Sequence, residues 1–70
     1  MPEMQPVDST NIAEVGYDET QMELHVVFTS GRTYVYNDVP ASAYEDFLAA
    51  PSKGSYLNRE IKGTYTYYEQ

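Results

Sequence analysis

The 70-residue chain contains no cysteine and no tryptophan, and only two of its residues are phenylalanine. Without cysteine, neither a disulfide framework nor a thiolate metal site can stabilise a fold of this size. A chain this short buries only about 60% of the surface that its unfolded form exposes, so its stability is expected to be modest. The aromatic part of the core must come mainly from the eight tyrosines, whose rings pack while their hydroxyl groups keep a polar partner or water.

Basic residues are also scarce, because four Lys and Arg residues stand against eleven Asp and Glu, giving a formal net charge of −7. This balance opposes non-specific binding to nucleic acid, which depends on basic side chains that displace counterions from phosphates. Arg32 is the one basic residue of the first 50, whereas Lys53, Arg59 and Lys62 lie in the last 20. This distribution indicates either ordinary solvated surface or a polar C-terminal site on an acidic scaffold.

Long apolar runs are missing as well. The longest apolar stretches are a few residues long, far short of the ~20 needed to span a bilayer, so no membrane segment is predicted. Residues 1–9 have neither the basic start nor the apolar run of a secretory signal. We therefore predict a cytoplasmic protein. The absence of cysteine agrees with a reducing compartment.

Apolar residues alternate along three consecutive segments, which predicts three strands. Residues 11–17 direct Ala13, Val15 and Tyr17 inward, with Ile12 contributing if the strand begins irregularly. The clearest strand has one apolar face made of Met22, Leu24, Val26 and Phe28. Residues 33–36 then place Tyr34 and Tyr36 on one side. Short polar turns connect the three segments and predict an antiparallel meander.

The pattern changes to a helical one after Pro40. Ser42 and Glu45 have the spacing of a capping box at a helix start. One apolar stripe follows, made of Tyr44, Phe47 and Leu48. Pro51 ends this helix at about residue 50, because the residue before a proline avoids helical conformation.

Ser52 is placed to cap a second helix, and Gly63 lies beyond its end. The apolar positions of this helix are Tyr56, Leu57 and Ile61. Residues 64–68 are either a last short strand or an ordered tail. The predicted fold class is therefore α+β, a three-stranded antiparallel meander followed by two short helices packed on one face of the sheet. We expect residues 1–8 to form a flexible N-terminal arm and residues 9–68 to form a single domain.

An ordered series of spaced residues runs along almost the whole chain, from about residue 7 to residue 67. The series comprises Ser9, Ile12, Gly16-Tyr17-Asp18, Leu24, Phe28, Gly31, Tyr34-Val35-Tyr36, Val39-Pro40, Tyr44, Phe47, Ser52-Lys53-Gly54, Tyr56, Asn58, Ile61 and Tyr65. It resembles the KTSC domain, a short bacterial and phage family named for its occurrence at the C-terminus of some lysyl-tRNA synthetases. The resemblance implies a domain that stands alone or is appended to other proteins. No activity or cofactor is implied, and RNA binding has been proposed for the family.

His25 is the only histidine of the chain, and it lies on the strand face opposite to Leu24 and Val26. We predict that it is a polar surface residue. The alternative is a dyad with Glu23 on the same face, although a catalytic base also needs a nucleophile nearby. An enzyme built on this chain would need a partner chain to complete its site.

Metal binding has little support from the residue pattern. One histidine, no cysteine and no clustered Asp-x-Asp-x-Asp run match neither a zinc site nor an EF-hand calcium loop. We therefore predict no metal and no cofactor.

The sequence Ser52-Lys53-Gly54-Ser55 has two interpretations. Free amides at a helix start, a hydroxyl and an ammonium group can together hold an anion. The same residues also serve as a plain N-cap with a glycine needed for packing. The motif lacks the length and order of a nucleotide-binding P-loop, so nucleotide hydrolysis is not predicted.

Tyrosines and cations together define the candidate binding surface. Aromatic rings among basic residues stack on bases or anchor a protein interface, but Tyr34, Tyr36 and Tyr44 are also needed as core volume. The candidate binding residues are Arg32, Tyr34, Tyr36, Ser52, Lys53, Gly54, Tyr56, Asn58, Arg59 and Lys62.

The predicted function is that of a non-enzymatic binding module that recognises a protein, as a monomer or weak homodimer. The absence of a catalytic constellation, the many tyrosines and the acidic charge favour it. The alternative is an RNA- or tRNA-contacting accessory domain. It is motivated by the fusion of family members to a tRNA synthetase and by the basic residues among the tyrosines.

Overall fold

Five antiparallel strands form one sheet in the computed structural model, which describes residues 2–70. The strands are β1 (Gln5–Pro6), β2 (Ile12–Asp18), β3 (Glu23–Phe28), β4 (Thr33–Tyr36) and β5 (Tyr67–Glu69). Their order in the sheet is their order in the chain. Two helices, α1 (Ala41–Ala49) and α2 (Lys53–Tyr56), follow β4, and α2 runs directly into a π-helical turn at Leu57–Ile61.

The predicted α+β class is confirmed, but the three-stranded meander is wrong in the number of strands. The meander of β2, β3 and β4 gains an edge strand on each side, through Gln5 opposite Val15 and Tyr67 opposite Tyr36. Both edge strands have three residues or fewer, too short to show a recognisable alternation. Residues 64–68, left open between strand and tail, do contribute to β5. The division into an arm of residues 1–8 and a domain of residues 9–68 stays a prediction.

One face of the sheet packs against the helices and forms the core. The buried cluster consists of Ile12, Val15, Leu24, Val26, Tyr36, Val39, Phe47, Leu57 and Ile61. The register explains the sheet part of this cluster, because Val15 lies opposite Val26 and Leu24 lies opposite Tyr36. The helices therefore cover a single face, as predicted.

A β-bulge at the start of β2 changes which of its residues face inward. The pairing with β3 shifts between Ile12 and Glu14, so one extra residue enters the strand. Ile12 and Val15 are both fully buried, while Ala13 is only half-buried. The predicted inward position of Ala13 is therefore wrong, whereas the irregular start that brings Ile12 inward is confirmed.

The opposite face of the sheet is also covered near its centre. Gly16, His25, Val35 and Tyr68 form one row across four strands. A Cβ atom at Gly16 would lie 2.5 Å from the Met4 sulfur and 2.7 Å from the Glu3 carbonyl oxygen, so residues 2–4 pack directly on this row. His25 is only 5% exposed. The prediction of a surface histidine is wrong, because alternation shows the face of a residue but not what covers that face.

Helix α1 begins without a side-chain cap. Pro40 is its N-cap, with φ of −69°, and the predicted cap Ser42 lies inside the first turn. The Pro40 carbonyl accepts hydrogen bonds from the amides of Ala43 and Tyr44. The capping box predicted at Ser42 and Glu45 is therefore wrong, because Pro40 already supplies the extended residue that starts the helix. The end of the helix before Pro51 is confirmed, since Ala50 is the C-cap.

We predict that Gly16→Ala lowers the free energy of unfolding by at least about 1 kcal/mol, because its methyl group would overlap the backbone of residue 3. Urea unfolding measures the change. In a chain lacking residues 1–4 the same substitution should cost much less. Gly63→Ala is the control, since a Cβ atom there meets nothing within 4 Å. An equal cost of Gly16→Ala in both chains would contradict the packing of the arm on Gly16.

Candidate functional site

A pocket of about 310 Å³ opens between the sheet and the second helical segment. Its sheet wall carries Phe28, Tyr34 and Tyr36, and its helical wall carries Gly54, Leu57 and Asn58. Asn11, Thr29 and Ser30 complete the rim. Two cations, Arg32 and Lys62, also line it. We call this site the aromatic pocket.

The rings of the aromatic pocket are held in place by one another. Tyr34 meets Phe28 edge-on, with ring centroids 5.4 Å apart, and stacks on Tyr67 at 5.3 Å. Tyr67 also contacts Tyr36, at 5.4 Å. Stacked and edge-on arrangements at these separations are favourable. Strand β5 thus packs, through Tyr67, against the two tyrosines of the sheet wall.

The charges of the pocket contrast with those of the chain. Among residues 2–70, no Asp or Glu lines the aromatic pocket, although eleven acidic residues are present in the sequence. The Arg32 guanidinium lies 3.8 Å from the Glu69 carboxylate, and both side chains are about half exposed or more, so this pair contributes little. Lys62 is in no ion pair within the described part of the chain. The pocket lining therefore combines two cationic side chains with no carboxylate among the described residues.

The sequence Ser52-Lys53-Gly54 lies beside the aromatic pocket and has structural contacts of its own. The Ser52 hydroxyl accepts a hydrogen bond from the Ser55 amide and caps α2. The Lys53 ammonium donates to the Ala50 carbonyl at 3.1 Å, at the end of α1. A Cβ atom at Gly54 would lie 2.8 Å from the Asn11 side-chain oxygen. These three residues line a separate polar hollow of about 230 Å³ together with residues 8–11.

The structure divides the ten candidate residues predicted from the sequence. Those that meet in the aromatic pocket are Arg32, Tyr34, Tyr36, Gly54, Asn58 and Lys62. Ser52 and Lys53 line the neighbouring hollow, which shares Gly54 with the pocket. Tyr56 packs near the Phe47 ring instead, and Arg59 pairs with Glu60 at 3.2 Å. A binding role for any of the ten stays a prediction.

Five lining residues had not been singled out from the sequence for a site. They are Asn11, Phe28, Thr29, Ser30 and Leu57. The periodicity of the sequence predicts Phe28 and Leu57 as core positions. No local sequence pattern indicates that a core residue also borders a pocket. The other three lie in turns that the pairing of β2 with β3 brings together, where the Thr29 amide donates to the Asn11 carbonyl at 2.9 Å.

A second tyrosine pair lies at the other end of the sheet. Tyr17 and Tyr44 stack with centroids 4.9 Å apart and planes 13° apart, and the Tyr17 hydroxyl donates to the Val39 carbonyl. Burial, followed by the charges of Glu19 and Asp18, raises the pKa of Tyr17. Both rings pack partly against the core, which supports a core role for Tyr44. An acidic hollow lined by Glu3, Glu19 and Glu45 borders the pair.

His25 and Glu23 do approach each other. The His25 Nε2 atom lies 3.3 Å from a Glu23 carboxylate oxygen. Its Nδ1 atom is buried with no hydrogen-bond partner among residues 2–70. The residues opposite it in the register are Gly16 and Val35, so neither neighbour supplies a nucleophile. His25 lines none of the three hollows described above.

Two features of residues 2–70 bear on the class of protein. No group of three or more Asp, Glu or His side chains in this range is arranged to hold a metal ion. Across the same residues, every helix is too short or too polar to cross a membrane. The fold and the pocket together define a small α+β domain with an aromatic hollow that is lined by two cations.

The chain belongs to the KTSC domain family, whose model matches residues 8–65, and the resemblance seen in the sequence is confirmed. A crystal structure of a KTSC domain protein from Yersinia pestis superposes with a TM-score of 0.93 and 35% identity, over 100% of this chain and 99% of that one. A protein of Tsukamurella paurometabola is 44% identical over 59 residues, which cover 84% of this chain and 88% of the relative.

The chain is also similar to one segment of a much larger enzyme. Lysine–tRNA ligase of Nostoc punctiforme is 38% identical over 66 residues, which cover 94% of this chain but 12% of the ligase. The similar segment is thus a small part of that enzyme.

We predict that Gly54→Val lowers the free energy of unfolding by at least about 1 kcal/mol, because the new side chain displaces the Asn11 side chain. In an Asn11→Ala background the cost should be at most half as large, since the displaced group is gone. Urea unfolding of the four proteins gives the coupling. Equal costs in both backgrounds would show that Asn11 is not what Gly54 accommodates.

Alkaline unfolding should report on Tyr36. Burial, followed by the nearby Tyr67 and Tyr34 hydroxyl groups, raises the pKa of Tyr36 from 10.0 to about 12. The unfolded chain therefore loses this proton before the folded protein does. The contribution of the protonated Tyr36 hydroxyl to the free energy of unfolding is fully present below about pH 10 and is lost as the pH rises to about 12.

The free energy of unfolding of the wild type should therefore decline between pH 9 and pH 11. We predict that Tyr36→Phe makes this decline smaller by roughly 1 kcal/mol. Urea unfolding at both pH values compares the variant with the wild type. Tyr68→Phe, at an exposed tyrosine, is the control. Equal declines in the wild type and in Tyr36→Phe would contradict the expected contribution.

Proposed function

We propose that this protein is a non-enzymatic binding module that holds a segment of another protein in the aromatic pocket. The observation that carries the proposal is a concave site of about 310 Å³ whose rings are already positioned by their mutual contacts. Aromatic rings in a well-packed hollow are the usual centres of protein interfaces. Tyrosine contributes large contact area with few rotatable bonds, so little side-chain entropy is lost on binding.

The rest of the site supports binding rather than reaction. The aromatic pocket contains amide, hydroxyl and cationic side chains but no histidine or carboxylate among the described residues, so the side chains that most often act as general acids and bases are missing from its lining. The buried His25 lies on the other face of the sheet. Similarity to a segment of a tRNA ligase agrees with a module that other proteins can carry, and it favours a cytoplasmic location.

The net charge of −7 favours a monomer or a weak homodimer, because copies of a strongly acidic chain repel each other.

An RNA-contacting role is the second candidate function. It is favoured by Arg32 and Lys62 beside the rings of Phe28, Tyr34 and Tyr36 and by the lysine–tRNA ligase relative. Stacking on such rings is worth about 1–3 kcal/mol per base. The net charge of −7 works against it, since the long-range field of the protein repels a polyanion.

Filling the pocket tests the proposal. Asn58 lines the pocket and is exposed, so Asn58→Trp blocks the hollow without a change of charge. Tagged wild-type and variant proteins are used to recover partners from an extract of the native host, with and without nuclease. We expect a protein that the wild type recovers in both extracts and that Asn58→Trp recovers at least about tenfold less.

Thr64→Trp is the matched control, because Thr64 is exposed and lies outside all three hollows. It should recover the partner like the wild type. If nuclease removes everything that the wild type captures, the RNA alternative replaces this proposal. Undiminished capture by Asn58→Trp would show that the partner binds elsewhere.

A further inference from the structure

We propose that the aromatic pocket takes a carboxylate carried on an apolar group, as presented by the C-terminus or an acidic side chain of a partner protein. This inference rests on the proposed protein-binding function and names the chemistry that the same site recognises. It follows from the two cations that line the pocket, from the aromatic surface beside them, and from the charge of the surrounding protein.

The two cations come from opposite walls of the pocket. Arg32 directly precedes β4, whose Tyr34 and Tyr36 belong to the sheet wall of the pocket. Lys62 directly follows the π-helical turn, and its amide donates to the Leu57 carbonyl at 2.7 Å. An anionic group inside the pocket can therefore be approached from both walls. Arg and Lys groups make charge-assisted hydrogen bonds with such an anion, which are stronger than neutral ones.

The pocket that both cations line also presents aromatic surface. Phe28 and Tyr34 contribute it, and both are only partly buried. A bare inorganic anion would leave this surface uncovered. A carboxylate attached to an aliphatic or aromatic group covers it and places its charge near the rim. The apolar contact contributes roughly 25 cal/mol for each Å² removed from water.

The charge of the protein discriminates between anions. The chain has a formal net charge of −7, and its field opposes a doubly charged phosphate or a polyanion more than a single carboxylate. Arg32 is only weakly paired, with Glu69 at 3.8 Å, and Lys62 is in no ion pair among the described residues, so both cations are available to one negative charge. Asn11 and Asn58 at the rim supply amide groups that can bond to a peptide backbone next to the carboxylate.

A chemical-shift titration of the ¹⁵N-labelled protein tests the inference with small probes. N-acetylphenylalanine represents a C-terminal carboxylate, and acetyl-glutamyl-phenylalanine amide represents an acidic side chain. N-acetylphenylalanine amide has the same ring without a charge. Inorganic phosphate and uridine monophosphate represent the nucleic-acid alternative. We expect shifts in residues 28–36 and 54–62 with at least one acid, and a Kd at least about tenfold lower than for the neutral amide.

Substitution of the cations should weaken the acids selectively. Arg32→Ala and Lys62→Ala should each raise the Kd of the acid by about three- to tenfold, with little change for the neutral amide. Thr20→Glu is the matched control, because it lowers the net charge by the same one unit in the β2–β3 turn, at the other end of β3. It should leave the Kd of the acid within about twofold of wild type. Thermal melting verifies that each variant is folded.

The inference is overturned if the neutral amide binds as tightly as both acids, or if phosphate or uridine monophosphate binds more tightly than either. Absence of pocket shifts with both acids up to about 10 mM also overturns it. These results are separate from the test of the proposed function. A host partner that is lost with Asn58→Trp but retained by Arg32→Ala and Lys62→Ala would uphold protein binding while rejecting carboxylate recognition.

Discussion

The packing of the second helical segment on the tyrosine-bearing face of the sheet is the contact on which the rest of the structure depends. Leu57 and Ile61 enter one buried cluster with Leu24 and Tyr36, although the helical segment spans only residues 53–61. A chain of 70 residues buries only a small core, and this helical segment closes that core from one side. The same contact sets the distance between the two walls of the aromatic pocket, so stability and site share one interface.

The pocket exists because this packing covers the sheet unevenly. Tyr36 is 1% exposed and belongs to the core, whereas Tyr34, two residues earlier on the same face, is only half-buried. Tyr67 of β5 contacts the rings of both Tyr34 and Tyr36. A tyrosine-rich core thus serves two purposes. A buried ring such as that of Tyr36 fills core volume, whereas a half-buried ring such as that of Tyr34 leaves part of its surface accessible to a ligand.

Much of the architecture was predictable because its signals are local. The central strand β3, the end of α1 before Pro51 and the Ser52 cap of α2 each follow from patterns within a few residues. The edge strands β1 and β5 were not predictable in this way. Segments of two or three residues show no periodicity, and their hydrogen bonds depend on the adjacent strand. The burial of His25 was missed for a related reason, since the arm that lies beside it is distant in sequence.

The sequence by itself determined the fold class, the family resemblance and the candidate residues, because periodicity, capping and ordered motifs are properties of neighbouring positions. Only the tertiary structure decided which candidates meet. It joins Arg32 to Lys62 across a pocket while leaving Arg59 paired with Glu60 outside it. Two side chains thirty positions apart line one pocket only when a strand and a helix pack. That packing depends on the summed burial of the whole core.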